Sequence, residues 1–104
     1  STYCFAAPMY LRVIDLFNQG KIEEAAAAQF ECIKMIRALG RYSPIPTQKE
    51  ILKMTGLDLG GCRLPLVALN KNQCDELAAY LKEISFFESL DKAREMMKTA
   101  SLVA

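Results

Sequence analysis

Apolar residues recur three and four positions apart in five separate stretches of this 104-residue chain, and the stretches are separated by glycine, proline or small polar residues. That interval is the period of an α-helix, and almost nothing is left over for strands. The expected fold is therefore all-α, with about five helices. With 52% of its residues apolar, a chain of this length can form one core or part of one, although a domain this small buries a limited share of its surface.

Along the chain, Ser1-Thr2-Tyr3-Cys4-Phe5 is β-branched and aromatic, which predicts a strand end or loop, and Pro8 then suits the first turn of a helix. Tyr10, Val13, Ile14 and Phe17 mark one face of that helix, and Gly20 can take the left-handed conformation that ends it. A second helix is predicted from about Lys21 or Ile22 to Leu39, with Ile22, Ala26, Phe30, Ile33 and Ile36 as its stripe and Gly40 as its stop. Its Ala25 to Ala28 run reads as helix propensity before it reads as a close helix contact.

Pro44 and Pro46 predict an extended connection, and Thr47 with Glu50 has the spacing of a capping box for a short helix ending at Thr55 and Gly56. Leu57 to Gly61 reads as a turn, and Cys62 to Leu66 as an extended segment lying across the helices. Asn70 and Gln73 predict a helix start, with Cys74, Leu77, Leu81 and Ile84 on its apolar face. Ser85-Phe86-Phe87 is expected to break that helix. Ser89 would then cap a last one lined by Leu90, Ala93 and Met97, and 101–104 would fray.

Charge excludes several partners. Lys plus Arg (13) nearly balances Asp plus Glu (12), and the charges are interspersed, so no basic stripe awaits nucleic acid. No apolar run approaches the roughly 20 residues that cross a bilayer, and no signal-peptide pattern opens the chain. Neither nucleic acid nor a membrane is expected as a partner, and a cytoplasmic location is. Cys4, Cys32, Cys62 and Cys74 stand singly, with no CxxC and no histidine. No metal is expected, and reduced, mostly buried thiols fit better than a disulfide framework. Opening on Ser rather than Met predicts that something upstream has been removed.

The opening Ser1 to Pro8 resembles the end of the last barrel strand of the N-acetylneuraminate lyase and dihydrodipicolinate synthase family, where a Gly-Ser-Thr-aromatic-Asn loop leads into the eighth helix. Phe17-Asn18-Gln19-Gly20-Lys21-Ile22-Glu23-Glu24-Ala25 is similar to the family's next turn and Ala-rich helix. Pro44 to Lys49 and Gly61-Cys62-Arg63-Leu64-Pro65-Leu66 resemble its segments ahead of an apolar helix and of the last long helix. These cues keep the family's order over roughly residues 1 to 87.

The resemblance implies a (β/α)8 TIM-barrel parent, whose barrel takes about 250 residues, and of which this chain would be the C-terminal helical part. It assigns 1–20 to the end of the last barrel strand and the eighth barrel helix, 21–87 to a C-terminal helical extension, and 88–104 to a terminal helix and tail. It further implies class I aldolase chemistry, a Schiff base between a barrel lysine and pyruvate assisted by a tyrosine, with no cofactor. The parent would act on a sugar acid, cleaving sialic acid to pyruvate and N-acetylmannosamine, as a homo-oligomer that is a tetramer in the family. No catalytic residue is assigned in this chain. Ser1 and Thr2 match the substrate-facing end of the strand and are the candidate substrate-binding residues. Cys4 stands where the family has Asn, which leaves substrate choice open between the sialate branch and a dihydrodipicolinate-synthase-like 2-oxo acid.

Other candidates have plainer readings. Lys49 could form an imine only if desolvated, whereas a lysine in a first helical turn is usually solvated or paired. Arg63 could bind a carboxylate, but its fork also suits a loop tied to helix carbonyls. Tyr3, Tyr42 and Tyr80 are expected to pack, and Met96 and Met97 to fill space. An alternative function is a helical-repeat interaction module, because Leu16 to Phe30 also looks like the helix-turn-helix of tetratricopeptide arrays. No second copy occurs near a 34-residue period, and such arrays need about three.

Overall fold

The computed structural model describes residues 1–99. Five helices, α1 (Tyr3–Asn18), α2 (Ile22–Arg37), α3 (Pro44–Met54), α4 (Lys71–Glu83) and α5 (Phe86–Thr99), account for most of them, with a 3-10 turn at Ala38–Gly40 and no strand among the described residues. The all-α expectation and the number of helices hold. The fraying expected over 101–104 lies outside the described residues.

One apolar core joins all five helices. Phe5, Ala6 and Met9 of α1 meet Cys32 and Met35 of α2, Ile51 of α3, Leu77 and Leu81 of α4, and Phe86, Leu90 and Ala93 of α5. A smaller cluster of Leu16, Ala25 and Ala28 lies where α1 and α2 run back along each other. Gly20 makes that reversal at φ +77°, with the Lys21 N–H reaching the Leu16 carbonyl at 3.0 Å, a left-handed helix stop that needs no Cβ.

Four local expectations are corrected. Residues 3–5 do not extend: they form the first turn of α1, and Pro8 sits inside that helix. Helix is favoured there because it buries Phe5 edge-on to Phe86 (ring centroids 6.2 Å apart) and Ala6 in the core. The described residues offer no strand for 1–5 to pair with. Secondly, Pro44 and Pro46 begin α3 instead of preceding it, since a first turn needs no N–H from those positions and proline presets their φ. Thr47 is therefore in the second turn, fully buried, with its hydroxyl donating to the Ser43 carbonyl at 2.8 Å; it forms no capping box with Glu50.

Thirdly, α5 starts at Phe86, not after Ser89. Ser85 takes φ +56°, which turns the chain in one residue and sends Phe86 into the core. Fourthly, α2 buries the face opposite to the predicted stripe. Ala25, Ala28, Cys32 and Met35 are buried, whereas Ile22, Phe30, Ile33 and Ile36 are exposed, as are Ile14 and Phe17 of α1. Small residues let α1 approach, and the bulkier stripe is left on the outside. The alanine run thus serves a close helix contact as well as propensity.

Other expectations hold. Thr55 and Gly56 end α3, the latter at φ +111°. Asn70 and Gln73 form a reciprocal capping box at the start of α4, with bonds of 2.8 and 3.0 Å. Residues 57–70 run without helix, but 62–66 is not the extended segment expected: the Leu66 N–H reaches the Arg63 carbonyl at 3.1 Å and closes a turn around the cis Leu64–Pro65 peptide. The four thiols are free, but the expectation that most are buried is corrected: only Cys32 is buried, Cys62 and Cys74 are half-buried and Cys4 is exposed.

Candidate functional site

The start of α1 and the outer face of α3 enclose a cavity of about 220 Å³, lined by Ser1, Cys4 and Phe5 on one side and by Ile45, Gln48, Lys49, Leu52 and Leu59 on the other. Proline-initiated α3 places Ile45, Gln48, Lys49 and Leu52 at i, i+3, i+4 and i+7, one face of the helix. The walls are mostly apolar. Their polar groups are the Ser1 hydroxyl, the Cys4 thiol, the Gln48 amide and the Lys49 ammonium, a set that can hold a hydroxyl or carboxylate by hydrogen bonds.

Of the two candidate substrate-binding residues, Ser1 lines this cavity and Thr2 does not. Ser1 Oγ accepts from the Tyr3 N–H at 3.4 Å. The Thr2 hydroxyl is turned away and bonds to the Tyr10 hydroxyl at 2.5 Å, beneath the Tyr3 ring, whose centroid is 4.8 Å from that of Tyr10. Burial raises the Tyr10 pKa, and the bond from Thr2 offsets only part of that, so the phenol stays protonated at neutral pH.

Lys49 Nζ donates to the Gly61 carbonyl at 2.8 Å, pinning the 57–62 loop to α3. The structural reading of this lysine fits that bond. Arg63 is a correction: its side chain is exposed and ties the loop to no helix carbonyl among the described residues, while its own carbonyl accepts from the Leu66 N–H at 3.1 Å to close a turn. The tyrosines serve packing, with the Tyr42 hydroxyl donating to Glu76 at 2.6 Å and that of Tyr80 to the Lys34 carbonyl at 2.8 Å. Bonding to the Glu76 carboxylate, ahead of desolvation, raises the Tyr42 pKa.

Gln48, Leu52 and Leu59 were not anticipated in the site. The signal for Gln48 and Leu52 is the i, i+3, i+4, i+7 pattern from Ile45, which appears only once α3 is started at Pro44, whereas Leu59 comes from the loop after α3 and has no such signal. No three His, Cys, Asp or Glu side chains gather in a metal-binding group among the described residues, and none of the helices is long and apolar enough to cross a membrane.

Residues 1–84 match the Dihydrodipicolinate synthetase family. The 4-hydroxy-tetrahydrodipicolinate synthase of Moorella thermoacetica is 39% identical over 72 residues, covering 68% of this chain and 24% of that protein. The N-acetylneuraminate lyase of Actinobacillus pleuropneumoniae serotype 5b is 37% identical over 84 residues, covering 78% and 28%. Among solved structures, N-acetylneuraminate lyase from Proteus mirabilis superposes with a TM-score of 0.76 at 36% identity, over 83% of this chain and 29% of that one. The chain thus spans about a quarter of the length of the relatives it matches. None of the relatives named here is a helical-repeat protein.

Proposed function

This chain belongs to the Dihydrodipicolinate synthetase family, and from that premise we propose that it is the C-terminal helical part of an N-acetylneuraminate-lyase-like Schiff-base aldolase. The parent cleaves sialic acid to pyruvate and N-acetylmannosamine, and this portion alone is inert. In the parent, residues 1–20 comprise the end of the last barrel strand and the eighth helix, and 21–87 form the extension that supports the barrel and the oligomer. Ser1, at the mouth of the cavity between α1 and α3, contributes a hydroxyl to the sugar-acid chain. Thr2 orients that turn through its bond to Tyr10.

One observation carries this reading above all. The chain aligns over 84 residues with one sialate lyase and superposes over 83% of its length on a solved structure of another, and the one lysine lining the cavity at Ser1, Lys49, donates to the Gly61 carbonyl. A second support is the exposed stripe of Ile14, Phe17, Ile22 and Phe30, the face on which the remaining three-quarters of a relative-sized enzyme would pack. A synthase acting on a different 2-oxo acid is the alternative. Identities of 39% and 42% to two synthases favour it, while alignment over 84 residues to lyases against 71 and 72 to those synthases favours the sialate branch.

The test is to incubate the purified chain with N-acetylneuraminate, assay pyruvate, and separately treat chain and pyruvate with borohydride before mass spectrometry. No pyruvate and no lysine adduct are expected. Release of pyruvate, or a reduced adduct on Lys49, would overturn the assignment of catalysis to other residues.

A further inference from the structure

A second, larger cavity, of about 490 Å³, opens on the other side of Lys49, between α3, the 57–69 segment and the first residue of α4. Lys49 and Lys53 project from α3 one turn apart, so they share a face, and Lys71 approaches from α4. Three lysines therefore line one concavity. Gly60 and Gly61 form part of its wall, and a Cβ added to either would meet nothing within 4 Å, so that wall presents backbone and open space.

Two carboxylates, Asp58 and Glu50, line it as well, so three lysines against two acids leave the lining with a net charge of +1. Asp58 is turned onto the Gly60 N–H at 2.9 Å, closing its own loop, and Glu50 stands beside the Cys74 thiol. Lys49 spends one donor on the Gly61 carbonyl. Lys53 and Lys71 have no hydrogen-bond or ion-pair partner among the described residues, whose ion pairs all lie elsewhere. Lysines spaced around one concavity focus a positive potential into it, which an anion would complement.

We propose that this cavity is a binding site for a small dianion, a phosphate or a dicarboxylate, held by the ammonium groups of Lys49, Lys53 and Lys71. The site is separate from the cavity at Ser1, and its occupancy does not depend on the aldolase reading. Lys49, which lines both, is the one side chain through which filling of one could shift the other. A dicarboxylate and a phosphate share the feature the lysines recognise, two negative charges on oxygens able to accept from more than one ammonium.

The test is titration of the full chain with sodium phosphate and, in a second arm, sodium malonate at constant ionic strength, following backbone amide shifts of Gly60, Gly61 and Lys71. Saturable shifts confined to these residues are expected in at least one arm, and the arm that saturates identifies the ligand class. The pair Lys53→Ala and Lys71→Ala, both on the surface and clear of the core, should weaken binding at least about tenfold, the value of one lost charge-assisted bond. Lys92→Ala on α5 should leave it unchanged. Linear, non-saturating shifts in both arms would overturn the proposal, as would equal weakening by Lys92→Ala.

Discussion

The Tyr80 hydroxyl donates to the backbone carbonyl of Lys34 across 2.8 Å, joining α4 to α2 over 46 positions of sequence. Lys34 lies in the last turn of α2, where carbonyls lack donors from the helix itself, so the phenol satisfies a group that burial would otherwise penalise. The Arg41 guanidinium covers the same ring at 4.1 Å from its centroid. Tyr80→Phe keeps the ring and the cation and removes only the bond. It is expected to lower unfolding free energy by about 1 kcal/mol, read as a lower urea midpoint at unchanged slope. An unchanged midpoint would mean that water replaces the phenol at no loss.

The contact between α1 and α2 gives a second prediction. Ala28 is buried against Leu16, whereas Ala27, one position earlier, is exposed. Leucine has nearly the helix propensity of alanine, so Ala27→Leu should be close to neutral. Ala28→Leu must force the helices apart and should cost about 1–3 kcal/mol. Equal effects at the two positions, measured by urea or thermal unfolding, would return the alanine run to a matter of propensity alone.

Much of the fold was legible because period and punctuation are local. The capping box at Asn70 and Gln73, the stop at Gly20 and the end of α3 at Gly56 each depend on a few adjacent residues, and each was readable from them. The burial of α2 was not. Its sequence carries two apolar faces, a bulky one at Ile22, Phe30 and Ile33 and a small one at Ala25 and Ala28, and size alone favours the wrong one. Which is covered depends on what α1 presents, a tertiary fact. The same holds for Tyr3 to Phe5, whose β-branched and aromatic character is overridden by the gain from burying Phe5 against Phe86. The cavity at Ser1 was half legible: its serine came from family resemblance, while its α3 wall was hidden by reading Pro44 and Pro46 as a linker.

Stability should fall on the alkaline side. Burial, ahead of the neighbouring Glu31 charge, raises the Cys32 pKa, and burial also raises that of Tyr10. Each group therefore keeps its proton longer in the folded chain than in the unfolded one. Their contribution is intact below the unfolded thiol value of about 8.5 and is lost as pH rises through the higher folded values, because the unfolded state releases protons first. Urea midpoints should be flat from neutrality to about pH 8 and then decline. Cys32→Ala, which removes the buried thiol, should flatten the first part of that decline. A decline of the same slope in the variant would assign it to other groups.

The exposed stripe makes the last prediction. Ile14 (53% exposed), Phe17 (62%), Ile22 (55%) and Phe30 (51%) lie on the outer side of α1 and α2, and Val13, Ile14, Phe17, Ile22, Ala25 and Ala26 line a concavity of about 370 Å³ there. Contiguous exposed apolar surface of this kind is unusual on a soluble monomer. The Cα radius of gyration is 14.7 Å, against about 13 Å for a compact domain of this length, with extents of 44 × 26 × 20 Å. If this face packs on a barrel in the parent, the isolated chain must cover it in another way. Sedimentation velocity should show concentration-dependent self-association, and Phe17→Glu with Phe30→Glu should shift the population toward monomer without loss of helix content, since neither side chain reaches the core. A sharp, concentration-independent monomer for the unsubstituted chain would show that water tolerates this face, and would remove the physical ground for placing a barrel against it.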